Sequence, residues 1–168
     1  MTPEDAVRVS VTVPASRAVA FDLFTREVDL WWRKGPQYRV SGRNPGVLAF
    51  EPGVGGRLFE TFETSSGPRV SVTGTITAWD PPGSFAFEWR GGNFTDADPS
   101  TTVEVRFEEA SPDRTRVTVV HRGWSALRAD HPVRHGQDAA GFLRMMGLWW
   151  GGLMTSLREH AAAVSRPQ

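Results

Sequence analysis

Asp138 to Val164 reads DAAGFLRMMGLWWGGLMTSLREHAAAV, and within it Phe142, Met145, Met146, Trp149, Trp150, Leu153, Met154 and Leu157 recur at spacings of three and four. That is the period of a helix with one broad apolar face. At roughly 1.5 Å per residue the helix is about 40 Å long, so its apolar face has to lie across something large and equally apolar. The phase predicts Phe142, Met145, Met146 and Trp149 turned inward and Arg144 and Arg158 turned to water. Gly147, Gly151 and Gly152 are costly inside a helix, at roughly 1 kcal/mol each relative to alanine. Either they bring backbone close enough for Trp149 and Trp150 to pack, or they kink the helix and leave empty volume beneath it.

The surface that this helix needs is written upstream as strands. Val7, Val9, Val11 and Val13 alternate with polar residues until Pro14 stops the run. From Ala15 to Phe24 the period becomes helical, with Ser16 placed to cap it and Val19, Ala20, Leu23 and Phe24 apolar. A second short helix holds Leu30, Trp31 and Trp32, and the Gly-, Pro- and Asn-bearing stretch Lys34 to Gly46 reads as a loop. Val47–Phe50 and Leu58–Phe62 flank Pro52-Gly53-Val54-Gly55-Gly56, a hairpin. No Lys-Ser/Thr follows that glycine cluster and no helix begins there, so a phosphate cradle is not implied.

Val70 to Trp79 reads as a long strand with Val72, Gly74, Ile76 and Ala78 on one face and Thr73, Thr75, Thr77 and Trp79 on the other. Three more strands place Phe85, Phe87 and Trp89, then Val103, Val105 and Phe107, then Val117, Val119 and His121 on their dry sides. Glu88, Glu104, Arg106, Arg116 and Thr118 are assigned to water. One wet and one dry face describe an antiparallel sheet covered on one side. Short turns at Asp80–Gly83 and Ser111–Asp113 make the sheet a meander. The fold class is therefore α+β: a curved antiparallel sheet wrapped around a long C-terminal helix, with two short helices after the first strand. Residues 1–168 are expected to form a single domain with an ordered core from about 6 to 163, and Ser165–Gln168 a frayed tail.

Composition narrows the function classes. With 19 basic against 19 acidic side chains and no strongly charged run, neither nucleic acid nor an anionic membrane is the expected partner. No cysteine is present, which excludes disulfide and thiolate chemistry and points to a reducing cytoplasm. No apolar run approaches the roughly 20 residues of a membrane span, and the acidic start Met1-Thr2-Pro3-Glu4-Asp5 is unlike a secretory signal. Lys34 is the only lysine among the 19 basic residues, a bias of GC-rich bacterial genomes.

Candidate chemistry is sparse. His121 lies on the apolar side of its strand, where an imidazole can act as acid–base or sit satisfied in a core. Glu51, Glu60 and Glu63 read as surface charges, with no spacing that fixes a carboxylate pair. His131 and His135, flanked by Asp130 and Asp138, have a zinc-like spacing, but Pro132 interrupts it and no third ligand follows. Ser125 lacks the second glycine of a nucleophile elbow. No metal, cofactor or catalytic residue is assigned.

Trp31-Trp32, Phe50-Glu51-Pro52-Gly53-Val54-Gly55-Gly56-Arg57-Leu58-Phe59-Glu60, Gly74 to Pro82, Phe85 to Trp89 and His121-Arg122-Gly123-Trp124 together resemble the SRPBCC (START-like) superfamily. Within it they resemble the bacterial branch related to the activator of the heat-shock-protein-ninety ATPase. The resemblance runs from Ala6 to about Ala162 and implies the helix-grip fold, with a cavity between sheet and long helix. It also implies a small hydrophobic or aromatic ligand. A homodimer is kept as a candidate assembly on which the sequence itself carries no signal. Trp32, Phe59, Phe87, Trp89, Val105, Val119, His121, Trp124, Phe142, Met145, Met146 and Trp149 are the expected ligand-binding residues. Two alternatives stand beside this: a polyketide cyclase or dehydratase using His121, and a chaperone-interacting module.

Overall fold

The structure, a computed structural model, describes residues 5–42 and 46–165. Strand β1 (Val7–Val13) is followed by helices α1 (Arg17–Thr25) and α2 (Val28–Trp31). Strands β2 (Gly46–Phe50), β3 (Arg57–Thr64), β4 (Gly67–Asp80), β5 (Ser84–Trp89), β6 (Thr101–Ser111) and β7 (Arg114–Arg122) come next, and helix α3 (Ala139–Ser165) closes the chain. Single 3₁₀ turns at Trp124–Ala126 and Pro132–Arg134 lie between β7 and α3. All neighbouring strands are antiparallel, in the order β1-β7-β6-β5-β4-β3-β2, so the meander expected from the turns is present and β1 joins it beside β7. This is the helix-grip architecture. Residues 43–45 of the expected loop and 166–168 of the expected tail lie outside the described residues, and Ser165 is the last residue of α3.

Ser16 caps α1 by accepting a hydrogen bond from the Val19 amide at 3.3 Å, which leaves Ala20, Phe21, Leu23 and Phe24 to face the sheet. Val19 itself is exposed, because that buried face is set by its neighbours. Phe21, Phe24, Trp31, Phe85 and Phe107 are nearly inaccessible and meet mostly edge-to-face, with Phe21–Phe85 ring centres 5.6 Å apart and Phe24–Trp31 4.8 Å apart. Such contacts add to the free energy of burial. Against the other half of the molecule, α3 buries Phe142, Met146, Trp150, Leu153, Met154 and Leu157. Arg144 and Arg158 are exposed, as the helical phase requires, whereas Met145 and Trp149 are only half-buried at the edge of the face.

Strand β4 departs from simple alternation in two places. Register shifts between Leu58 and Phe59 on β3, and between Ile76 and Ala78 on β4 itself, each insert an extra residue. Val72 consequently lies outward and exposed, while Ala78 is exposed and Trp79 turns in, 5.1 Å from the Phe21 ring. The expectation of Val72 and Ala78 on one face with Gly74 and Ile76, and of Trp79 on the other, is corrected by these bulges. Gly74 stands where β4 passes closest to β5: a Cβ there would fall 1.5 Å from the Glu88 carbonyl oxygen, so only glycine fits. Thr118, assigned to water, is buried and hydrogen-bonded to the Ser10 hydroxyl at 2.9 Å.

Candidate functional site: an aromatic cavity beneath a strap

A cavity of about 890 Å³ opens between the N-terminal half of α3 and the inner faces of β2 to β5. That size lies within the range of small-molecule pockets, roughly 300–1,000 Å³. Its roof is the segment 33–42 after α2, which crosses the cavity as a strap and is tied down from both sides. Arg39, itself buried, donates to Asp29 Oδ1 at 2.5 Å, to the Trp32 carbonyl at 2.6 Å and to the Arg33 carbonyl at 3.3 Å. Burial acts to raise the Asp29 pKa, but the Leu48 amide and the Arg39 guanidinium outweigh it and hold the carboxyl below its ordinary value. From the sheet, Glu60 Oε1 accepts the Val40 amide at 2.8 Å and Oε2 the Ser41 amide at 3.0 Å.

Aromatic rings make the apolar wall. Tyr38, the only tyrosine, stacks on Trp149 with centres 5.6 Å apart, and Trp32 meets Trp149 edge-on at 5.8 Å. Both indoles donate to the strap, Trp149 to the Gln37 carbonyl at 2.7 Å and Trp32 to the Tyr38 carbonyl at 3.0 Å. Gly152 leaves the space that Tyr38 occupies, since a Cβ there would lie 3.0 Å from the tyrosine hydroxyl. Trp89, Met145, Met146, Leu48 and Leu58 complete the wall, and Glu60, Thr73, Asn93 and His135 are polar groups on it. His135 is the only non-glycine residue with positive φ among the described residues, at 48°. It ends the 3₁₀ turn Pro132–Arg134.

Of the twelve residues expected to bind ligand, Trp32, Trp89, Met145, Met146 and Trp149 come together on this wall. Phe87, Val105, Val119, His121, Trp124 and Phe142 are inside the packed core and do not reach it. Phe59 lies on the opposite face of the sheet, under the Arg57 guanidinium at 4.9 Å, because Leu58 and Glu60 occupy the inward positions on either side of it. Glu60 is thus corrected from a surface charge to a buried one, 3% exposed; Glu63 is exposed, and Glu51 pairs with Arg57 at 2.7 Å. Alternation from the buried Leu58 carries the signal for Glu60. The strap residues Tyr38 and Arg39 carry no periodic signal at all.

His121 is fully buried and doubly bonded. Trp150 donates to its Nδ1 at 3.1 Å, so Nε2 carries the proton and donates to Thr101 Oγ1 at 2.7 Å, and that hydroxyl donates in turn to the Trp89 carbonyl at 3.0 Å. Burial pushes its pKa down to about 3. An imidazole that is neutral, satisfied at both nitrogens and walled off from the cavity has no free position for proton transfer. His131 and His135 do not converge on a metal: His131 bonds Asp98 at 2.9 Å and accepts the Val133 amide at 3.0 Å, while His135 faces the cavity. Thr95 and His131 together hold the Asp98 carboxyl down to about 2.

A curled antiparallel sheet gripping a C-terminal helix, with a cavity between them, defines a helix-grip protein of the SRPBCC superfamily. The chain belongs to the family described as Activator of Hsp90 ATPase homolog 1-like protein, whose model matches residues 14–146. Among solved structures it is similar to Txn09, an anthrahydroquino-gamma-pyrone synthase complexed with SUM, at 32% identity and TM-score 0.53, over 88% of this chain and 90% of that one. It shares its fold with CalC, a self-sacrificing resistance protein from Micromonospora echinospora, at 23% identity and TM-score 0.60, over 98% and 99% of the two chains. It also shares its fold with PFC0360w, an HSP90 activator from Plasmodium falciparum, at 19% identity and TM-score 0.54, over 86% of each. No curated protein sequence matches the chain. No helix among the described residues is long and apolar enough to cross a membrane.

Proposed function

We propose that the protein binds a small planar aromatic molecule in the cavity beneath the strap, within a single cytoplasmic domain. The observation that carries this reading is the wall itself: Trp32, Tyr38, Trp89 and Trp149 around about 890 Å³. Flat π-surface of that kind favours a ring system over a flexible chain, through burial of apolar area at about 25 cal/mol per Å² and through offset or edge-on ring contacts. The likeness to a synthase named for a fused aromatic product supports the same ligand shape. Titrating bicyclic to tetracyclic aromatics against the tryptophan fluorescence of the protein tests it. Saturable quenching that disappears in Trp149→Ala is the expected result, and a flat response across the series overturns the reading.

The same likeness supports an enzyme as the second reading, a cyclase acting on a polyketide-like substrate. On that reading the reacting groups come from the cavity wall, where Glu60 and His135 stand, and not from His121. Product analysis after incubation with an uncyclised aromatic polyketide mimic separates enzyme from binder.

A further inference from the structure

The cavity wall is apolar except at a few points, and only one of these is a buried carboxylate. Glu60 is 3% exposed, projects from the inner face of β3 and lines the cavity between Leu58 and the strap. Each of its oxygens accepts one amide, from Val40 and from Ser41. A carboxylate has about four acceptor positions, so two amides leave it capable of accepting more. Arg39, the nearby cation on the wall, is consumed by the Asp29 carboxylate and by the carbonyls of Asp29, Trp32 and Arg33. An anionic ligand would therefore meet a buried negative charge. A hydrogen-bond donor would meet an acceptor already oriented by the backbone, and bonds to an ionised acceptor are the stronger kind.

Resting on the aromatic-ligand reading above, we propose that Glu60 is the polar anchor of the cavity and selects ring systems that carry a phenolic hydroxyl. The hydroxyl donates to a Glu60 oxygen while the rings lie along Tyr38, Trp149 and Trp89. Glu60 thereby joins the two halves of the site, because the carboxylate that orients the ligand also holds the strap that covers it.

The test compares 2,6-dihydroxynaphthalene with 2,6-dimethoxynaphthalene, which has the same rings and no donor, by tryptophan quenching of the wild-type protein and of Glu60→Gln. Wild type is expected to bind the dihydroxy compound about 10- to 100-fold tighter, the range for a hydrogen bond to a charged group. In a folded Glu60→Gln, which keeps an acceptor for only one of the two strap amides, that preference is expected to shrink to a few-fold, whatever the change in dimethoxynaphthalene affinity itself. Equal affinities in wild type overturn the anchor but leave the aromatic-ligand reading standing, and this comparison does not depend on the variant folding. Equal loss of both compounds in a folded Glu60→Gln also overturns it, by showing that Glu60 only holds the strap. Failure of wild type to bind either compound or any larger aromatic sinks both readings.

Discussion

Trp150 donates its indole N–H to Nδ1 of His121 across 3.1 Å, and this single bond sets the tautomer that the core contains. With Nδ1 occupied, the ring proton sits on Nε2 and points to Thr101, and there is no vacant position for a second proton without breaking the bond from Trp150.

Stability should therefore fall in mild acid. Unfolded His121 takes up a proton near its ordinary 6.5, whereas the folded one stays neutral down to about 3, so the unfolded state binds more protons throughout that window. The stabilisation is fully present above about 6.5 and drains as pH falls towards 3, by up to roughly 1.4 kcal/mol per pH unit. Urea denaturation at pH 7 and pH 5 measures the slope. In His121→Gln, whose amide can accept from Trp150 and donate to Thr101, the slope should be visibly shallower; an unchanged slope would show that other groups carry it.

The adjacent tryptophans of α3 should separate stability from binding. Trp150 is fully buried, and its replacement by alanine is expected to cost about 3–5 kcal/mol. Trp149 is half-buried at the cavity edge, and its replacement should cost no more than about 2 kcal/mol while removing most ligand affinity. Chemical denaturation and fluorescence titration of the two variants decide the matter; the reverse assignment would mean that Trp149, not Trp150, is the structural residue.

Two neighbouring glycines make a sharper comparison. A Cβ at Gly151 meets nothing within 4 Å, so Gly151→Ala should stabilise by about 0.5–1 kcal/mol through helix propensity alone. At Gly152 the Cβ would crowd the Tyr38 hydroxyl at 3.0 Å, so Gly152→Ala is expected to displace Tyr38 from Trp149 and weaken aromatic ligands several-fold. Equal ligand affinity in the two alanine variants would show that the Tyr38–Trp149 stack contributes nothing to the site.

Regular period carried most of the fold. The helical spacing from Phe142 to Leu157 and the alternation in β1, β5 and β6 each follow from a residue's distance to its neighbours along the chain, and the structure repeats them, whereas in β7 Thr118 and Val120 are buried along with Val117, Val119 and His121. Where a bulge adds a residue, counting fails, which is why Trp79 and Val72 changed sides. The site was half legible for the same reason. Trp89, Met145 and Trp149 belong to periodic elements, but Tyr38 and Arg39 reach the cavity on an irregular strap whose path is set by hydrogen bonds to Glu60, Asp29 and two tryptophans. His121 was legible as inward-facing, but its partner Trp150 arrives from an element 29 residues away.

The two bulges in β4 also divide labour along one strand. At the first of them the strand offers Thr73 to the cavity; after the second it gives Trp79 to the aromatic cluster around Phe21 and Phe85. Substitutions that reshape the binding wall near Thr73 therefore leave the packed end under α1 untouched. A lineage built on this scaffold can exchange ligands by altering one half of the sheet while inheriting the other half unchanged.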